Sequence, residues 1–184
     1  MNNANLTNDK VTPIDDGACN HLTNLKIPAI SLPNQYGNLL KLNRTDTFRI
    51  ILFCYSMTGN PKQKLPTNWG KIPGAVGCTS ENCSIRDNYD EIVALNAIPI
   101  GICSQSSEDI REMVIRLNIQ YDVLSDSRLA FSNLLNLPTF EADSKIYIKR
   151  LTLIVEKSTI KKFFYPVFPA DKHIYEVIEW LKAN

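Results

Sequence analysis

The sequence has almost no excess charge and no apolar run long enough to cross a membrane. Its 20 basic and 19 acidic side chains give a formal net charge of +1 over 184 residues. So small an excess provides no positive field to hold a phosphate backbone, and nucleic acid is not expected as a partner. The longest apolar run, at 50–55, has the length of a strand, whereas a membrane-spanning helix needs about 20 apolar residues. We therefore expect neither nucleic acid nor membrane as a partner.

The beginning of the chain also lacks the pattern of a secretory signal peptide. Residues 1–24 are rich in asparagine and have no basic patch followed by an apolar stretch. We therefore expect a cytoplasmic protein in which residues 1–24 form a polar, partly disordered extension. The remainder, residues 25–184, is long enough for one domain with a sizeable core.

Cysteine and histidine are both scarce, and this excludes two further classes of protein. A secreted disulfide framework usually has more cysteines and an even number of them, whereas this chain has five. In a reducing compartment, surplus cysteines are more often buried or reactive. The two histidines, His21 and His173, lie far in sequence from Cys78 and Cys83, so neither a zinc site nor a cofactor is expected. Surface or capping roles are expected for both. The five cysteines are Cys19, Cys54, Cys78, Cys83 and Cys103.

What the sequence does contain is an alternation of strand and helix patterns. The predicted elements are a hairpin over 27–42, a strand at 50–55, an irregular surface loop at 60–76, a helix from Thr79 or Ser80 to about Asn96, a strand at 98–104, a helix from Ser106 or Ser107 to about Leu117, a short strand near 123–124, a helix around 129–135, an antiparallel pair at 150–156 and 160–167, and a final helix around 174–181. The continuous apolar run at 50–55 is typical of a central strand buried on both faces. Such an alternation predicts a three-layer α/β domain with a mixed sheet.

Two of the cysteines fall on one predicted helix. Cys78 lies at the first turn, where unpaired backbone N–H groups and the helix dipole favour a thiolate over a thiol. At about 100° per residue, Cys78 faces the core, whereas Cys83 points about 140° away and lies at least ~7.5 Å further along the axis. A disulfide between them would require the first turns to unwind. By itself the pair is as compatible with two small helix residues as with a redox centre.

The residues around this pair carry a specific resemblance to a known family. The pattern Gly-Cys-Thr-x-x-x-Cys-x-x-Arg-Asp-Asn, read from Gly77 to Asn88, resembles the active-site helix of peroxiredoxins of the bacterioferritin comigratory protein group. The similarity extends from about Leu25 to Trp180. It implies a thioredoxin-like fold, with a mixed central β-sheet flanked by helices and an N-terminal β-hairpin, and a thiol-dependent peroxidase.

The resemblance also implies roles for individual residues. It makes Cys78 the peroxidatic cysteine, Cys83 the resolving cysteine and Arg150 the guanidinium that stabilises the thiolate and the peroxide. Glu81 stands where the family tends to carry an acid or amide that orients the arginine; an ordinary first-turn acid is the alternative. The substrate would be hydrogen peroxide or a small organic hydroperoxide, a thioredoxin-like reductant would reduce the disulfide, and the protein would be a monomer or a homodimer.

The chain departs from the family at its Pro-x-x-x-Thr/Ser-x-x-Cys motif. Ala75, three residues before Cys78, has no hydroxyl. If residues 60–76 are an insertion within the motif, Thr58 takes the place of the motif threonine and would deliver its hydroxyl to the peroxide. The alternative is that Thr58 is a turn residue beside Gly59.

The motif proline has no clear counterpart either, since Ser56 or Cys54 stands in its place. Its absence favours a second hypothesis, a non-catalytic redox sensor or interaction protein on the same fold. A thioredoxin-like disulfide reductase is a third, although four residues between the cysteines are too many for it. Among the other cysteines, Cys54 and Cys103 are expected to be inert core residues, and Cys19 has no evident partner in the extension.

Overall fold

The structure, a computed structural model, describes residues 11–45 and 48–184. Strands and helices alternate along most of this chain, as the sequence predicts. Their bounds are β1 (Ser31–Pro33), β2 (Leu39–Lys41), β3 (Arg49–Tyr55), a 3-10 turn (Trp69–Lys71), α1 (Cys78–Asp87), α2 (Tyr89–Ala94), β4 (Ala97–Cys103), α3 (Ser107–Leu117), β5 (Val123–Ser125), α4 (Ala130–Leu134), β6 (Thr139–Ala142), β7 (Lys145–Ile148), β8 (Leu151–Glu156), β9 (Thr159–Phe164) and α5 (His173–Ala183).

A mixed five-stranded sheet with the order β5-β4-β3-β8-β9 forms the centre of the molecule. The pairs β3/β4 and β4/β5 are parallel, and β3/β8 and β8/β9 are antiparallel. Alternate side chains of β3 enter two core clusters, with Leu52 and Cys54 on one face and Phe53 and Tyr55 on the other. The predictions of a central buried strand, a mixed sheet and an N-terminal hairpin, formed by β1 and β2, are confirmed.

The predicted helix from 79 or 80 to 96 is wrong in one respect, because it is divided into α1 and α2. Asn88 lies at the break, with backbone angles of φ −108° and ψ 12°. Its side-chain amide donates to the carbonyl oxygen of Ser84 at 2.8 Å. Asparagine competes in this way for helical carbonyls, which makes it a poor residue for a helix interior.

A hairpin that the sequence analysis missed, β6/β7, anchors the irregular loop. Its two-residue turn, Asp143 and Ser144, has positive φ at both positions, which is the geometry that joins tightly paired strands. Trp69 of the loop is only 5% exposed, and its ring centroid lies 5.0 Å from that of Tyr147 on β7 and 5.6 Å from that of Phe140 on β6. The segment 60–76 is therefore not simply a surface loop, since its second half is fixed on this hairpin.

Part of the N-terminal extension is packed against the domain. Cys19 and Leu22 are fully buried in the main core cluster, and the thiol of Cys19 is free. The apolar side chains of this short turn hold the extension against the domain. The Nζ atom of Lys149 also forms an ion pair with Oδ2 of Asp16 at 2.9 Å. Residues 1–10, for which partial disorder is also predicted, lie outside the described residues.

Two further expectations can be compared with the described chain. Cys54 and Cys103 are both fully buried, as predicted for core residues. Of the helices within residues 11–45 and 48–184, none has the length and apolar character to cross a membrane.

Candidate active site

Cys78 is the first residue of α1 and is buried, with 2% of its surface exposed. Gly77, directly before it, has φ 108°, a backbone conformation that residues other than glycine rarely adopt. A Cβ at that position would also lie 3.1 Å from the Cβ of Ala170. Glycine is thus required for the chain to turn into the helix with Cys78 facing the core, as the spacing predicts.

Three polar groups surround the sulfur of Cys78. The Nη2 atom of Arg150 lies 3.1 Å away, the Oγ of Ser56 3.3 Å away and the carbonyl oxygen of Ala75 3.6 Å away. The positive end of the α1 dipole is directed at the same place. A guanidinium and a helix N-terminus thus both meet at the sulfur of Cys78.

Arg150, directly before β8, is itself held from two sides. Its Nη1 forms a buried ion pair with Oε2 of Glu81, and its Nη2 donates to the carbonyl oxygens of Gly74 at 3.1 Å and Val76 at 3.3 Å. Burial disfavours its charge, but Cys78 and Glu81 outweigh that effect and raise its pKa. The end of the 60–76 loop thus helps to fix the guanidinium against Cys78.

Glu81 is not an ordinary exposed first-turn acid. Only 2% of it is exposed, and burial raises its pKa to about 7 although Arg150 acts in the opposite direction. One turn after Cys78 on the same helix, it contacts the arginine that contacts the sulfur. From this position its carboxylate contacts one side of the guanidinium.

Cys83 lies on α1 with Cys78 but not beside it. It is half-buried and has a free thiol. The intact helix between the two is tied down by Asn82, whose amide donates to the carbonyl oxygen of Cys78 at 2.9 Å and whose Oδ1 accepts from the hydroxyl of Tyr121 at 2.8 Å. A Cys78–Cys83 disulfide therefore requires these contacts to break.

The structure does not bring Thr58 to the sulfur of Cys78, which corrects the prediction that it replaces the motif threonine. Both the backbone N–H and the hydroxyl of Thr58 donate to Oε1 of Gln105, at 2.8 and 3.2 Å. Gln105 lies in the segment between β4 and α3, so the hydrogen bonds of Thr58 are made to that segment and not to α1. The residue that sequence reasoning missed is Ser56, and its one signal is its position where the motif proline is expected.

Within the described part of the chain, no three His, Cys, Asp or Glu side chains are grouped so as to hold an ion.

The family model described as Redoxin matches residues 23–178. The chain belongs to the Redoxin family. This match includes every residue placed around Cys78 above, and it covers most of the 184 residues.

Several peroxiredoxins resemble this redoxin along most of its length. The peroxiredoxin Bcp of Bacillus subtilis is 26% identical over 161 residues, which cover 85% of this chain and 92% of that protein. Peroxidoxin BcpB from Mycobacterium tuberculosis superimposes with a TM-score of 0.72 at 21% identity, covering 88% and 96% of the two chains. The Xanthomonas campestris bacterioferritin comigratory protein, studied for alkyl peroxide reduction, has a TM-score of 0.69 at 17% identity, covering 86% and 96%.

These findings confirm two predictions. The thioredoxin-like fold is shared with solved peroxiredoxin structures. The redoxin is a peroxiredoxin of the bacterioferritin comigratory protein group, an enzyme class of thiol-dependent peroxidases. The roles of its individual residues are a separate matter and are proposed below.

His173 of this redoxin lies in the core behind Arg150, and the expected surface or capping role is wrong for its side chain. It is 3% exposed, with one ring nitrogen 2.9 Å from Oγ1 of Thr152 and the other 3.1 Å from Glu176. Burial lowers its pKa to about 4; Glu176 opposes this shift and Arg150 adds to it.

The depressed pKa of His173 predicts a loss of stability in mild acid. Between pH 6.5 and about 4 the unfolded chain binds a proton at this residue and the folded chain does not, so the free energy of unfolding falls as the pH falls. From pH 7 to pH 5 this contribution amounts to about 2 kcal/mol. Urea unfolding at both pH values measures it. His173→Gln should show a pH-dependent loss smaller by that amount, and an equal loss in both proteins would contradict the assignment.

Proposed function

We propose that Cys78 is the peroxidatic cysteine of this peroxiredoxin and that Cys83 resolves its oxidised form. The observation that carries the proposal is the position of the Arg150 guanidinium, 3.1 Å from the sulfur of Cys78 at the N-terminus of α1. A buried cysteine with a cation and a helix N-terminus at its sulfur has the surroundings of a reactive thiol. The relatives of the bacterioferritin comigratory protein group support the same assignment.

The first half of the proposed reaction takes place at one sulfur atom. The Cys78 thiolate attacks one peroxide oxygen; an S–O bond forms and the O–O bond breaks. The sulfur is oxidised to a sulfenic acid. The departing oxygen takes the proton released when the thiol ionised and leaves as water or as an alcohol. Arg150 stabilises the charge on the sulfur before attack and the charge that develops on the departing oxygen. The substrate is hydrogen peroxide or a small organic hydroperoxide.

The second half of the reaction needs Cys83 to reach Cys78. The sulfur of Cys83 attacks the sulfenic sulfur, a disulfide forms, the S–O bond breaks, and the oxygen leaves as water with the proton that the Cys83 thiol gives up. Five residues of regular helix separate the Cα atoms by about 7.5 Å, beyond the span of a disulfide, so the first turns of α1 must unwind. A thioredoxin-like dithiol then reduces the disulfide and restores both thiols.

Unwinding of α1 is a specific expected result. Hydrogen exchange of residues 81–87, whose N–H groups have helical acceptors, should be strongly protected in the reduced protein and faster by at least about tenfold after oxidation with one equivalent of peroxide, because helical hydrogen bonds break when the disulfide forms. Cys83→Ser is the matched control, since it forms the sulfenic acid without the disulfide and should keep the helix. Equal protection of the helix in the reduced and oxidised wild type would exclude a Cys78–Cys83 disulfide.

Turnover separates the resolving role of Cys83 from the peroxidatic role of Cys78. With a thioredoxin regenerating system, Cys83→Ser should consume one equivalent of peroxide and then stop, whereas the wild type continues. Full thioredoxin-dependent turnover in Cys83→Ser would remove Cys83 as the resolving residue. A non-catalytic redox sensor, the alternative drawn from the missing motif proline, predicts that the wild type itself stops after one equivalent.

A further inference from the structure

A buried hydroxyl, that of Ser56, lies beside the reacting sulfur. Ser56 directly follows β3 and is 2% exposed. Its Oγ lies 3.3 Å from Sγ of Cys78 and 3.4 Å from the carbonyl oxygen of Ala75. Its own carbonyl oxygen accepts from the hydroxyl of Ser104 at 3.4 Å, which ties it to the end of β4. Across residues 11–45 and 48–184, no other hydroxyl is within hydrogen-bond distance of that sulfur.

The single proton of this hydroxyl has two acceptors within reach. While Cys78 is a thiol, the S–H group can donate to the carbonyl oxygen of Ala75, 3.6 Å away. A thiolate can only accept. The hydroxyl of Ser56 then donates to the sulfur, because a hydrogen bond to a charged acceptor is stronger than one to a neutral carbonyl. The thiolate thereby receives two donors, Ser56 directly after β3 and Arg150 directly before β8.

The two positions at which the family motif would place a hydroxyl, Ala75 and Thr58, do not bring one to the sulfur of Cys78. Ala75, three residues before Cys78, has only a methyl group. The hydroxyl of Thr58 is engaged by Gln105. Ser56 is thus the remaining source of a hydroxyl at the sulfur, and it comes from the end of β3 rather than from the segment that leads into α1.

We propose that Ser56 is a catalytic residue of this peroxiredoxin, which donates a hydrogen bond to the Cys78 thiolate and increases the fraction of the sulfur that is ionised at neutral and lower pH. The inference rests on the proposed function of Cys78. No covalent bond to Ser56 forms or breaks. Its hydroxyl is hydrogen-bonded to the sulfur while the sulfur is charged, and this hydrogen bond is released as the charge passes to the departing oxygen. Ser56 and Arg150 both stabilise the negative charge on the sulfur of Cys78.

The test is the rate at which iodoacetamide alkylates Cys78 in the full chain, measured on the Cys78 peptide by mass spectrometry. Only the thiolate reacts, so the rate reports the ionised fraction. Ser56→Ala should lower the rate about tenfold at pH 6 and much less at pH 9, because one charged hydrogen bond is lost. Ser56→Thr keeps the hydroxyl and should restore the rate at pH 6.

Ser125→Ala is the matched control. Ser125 is also buried at the end of a strand, but its hydroxyl donates to the carbonyl oxygen of Gln105 at 2.6 Å. This variant should show the wild-type ratio of rates at pH 6 and pH 9. A wild-type ratio in Ser56→Ala, or an equal fall in Ser125→Ala, would overturn the inference.

The alkylation experiment uses no peroxide and is therefore independent of the proposed function. If Cys78→Ser kept its peroxidase activity, the proposed function would fail, and Ser56 would lose its catalytic role even if it still promoted ionisation of Cys78. If Cys78→Ser is inactive and Ser56→Ala reacts with peroxide about tenfold more slowly than the wild type, both stand.

Discussion

Replacing Cys78 by serine should lower the rate of peroxide reduction by a factor on the order of a thousand or more. Serine keeps the size and the hydrogen-bonding capacity of the side chain but cannot be oxidised by peroxide to a sulfenic acid. Arg150 and the N-terminus of α1 remain in place, so any loss is due to the sulfur. The measurement is peroxide consumption with a thioredoxin regenerating system, together with a urea unfolding curve to show that the fold is retained.

Cys103 provides the matched control for this variant. It is fully buried at the end of β4, and burial raises the pKa of its thiol to about 12, so it remains protonated at neutral pH. Cys103→Ala should therefore keep the wild-type rate. Substantial activity in Cys78→Ser, or the loss of activity in Cys103→Ala instead, would show that the reactive thiol is not at the N-terminus of α1.

Replacing Arg150 by methionine should damage both activity and stability. The rate of peroxide reduction should fall by about a hundredfold or more, because the charge on the sulfur and on the departing oxygen loses its guanidinium. The free energy of unfolding should fall by about 3–5 kcal/mol, because the buried carboxylate of Glu81 loses its partner. Stopped-flow reaction with peroxide measures the first effect and urea unfolding the second.

The double variant Arg150→Met/Glu81→Leu separates these two effects. Replacing both partners of a buried ion pair by apolar side chains is often neutral for stability, so the double variant should be more stable than Arg150→Met alone. Its rate of peroxide reduction should remain as low as that of the single variant. A double variant that recovered its activity together with its stability would mean that Arg150 acts only by holding the fold.

Local patterns in the sequence were sufficient to predict the start and the orientation of the helix that carries Cys78. Helix capping and the spacing of apolar residues place Cys78 at the first turn facing the core, and α1 begins at this residue. The same patterns could not show that Asn88 divides the predicted helix, because the division depends on which hydrogen bond its side chain makes. They also missed the β6/β7 hairpin, whose Asp143–Ser144 turn has no glycine to signal it.

The contacts that complete the site are long-range and could not be predicted from spacing. Arg150 lies 72 residues after Cys78 in the chain, and only the resemblance to peroxiredoxins pointed to it. Ser56 had one weak signal, its position where the motif proline is expected, but a serine after a strand is typical of many loops. Cys19 is a similar case, because the polar composition around it hides the fact that its side chain enters the core.

The most direct test of the account is to identify the sulfur that peroxide oxidises first. Cys83→Ser, which cannot form the proposed disulfide, is treated with one equivalent of hydrogen peroxide in the presence of dimedone, and the adduct is located by peptide mass spectrometry. One adduct is expected, on Cys78, in nearly all molecules. An adduct on Cys19, Cys54 or Cys103 with Cys78 unmodified would contradict it.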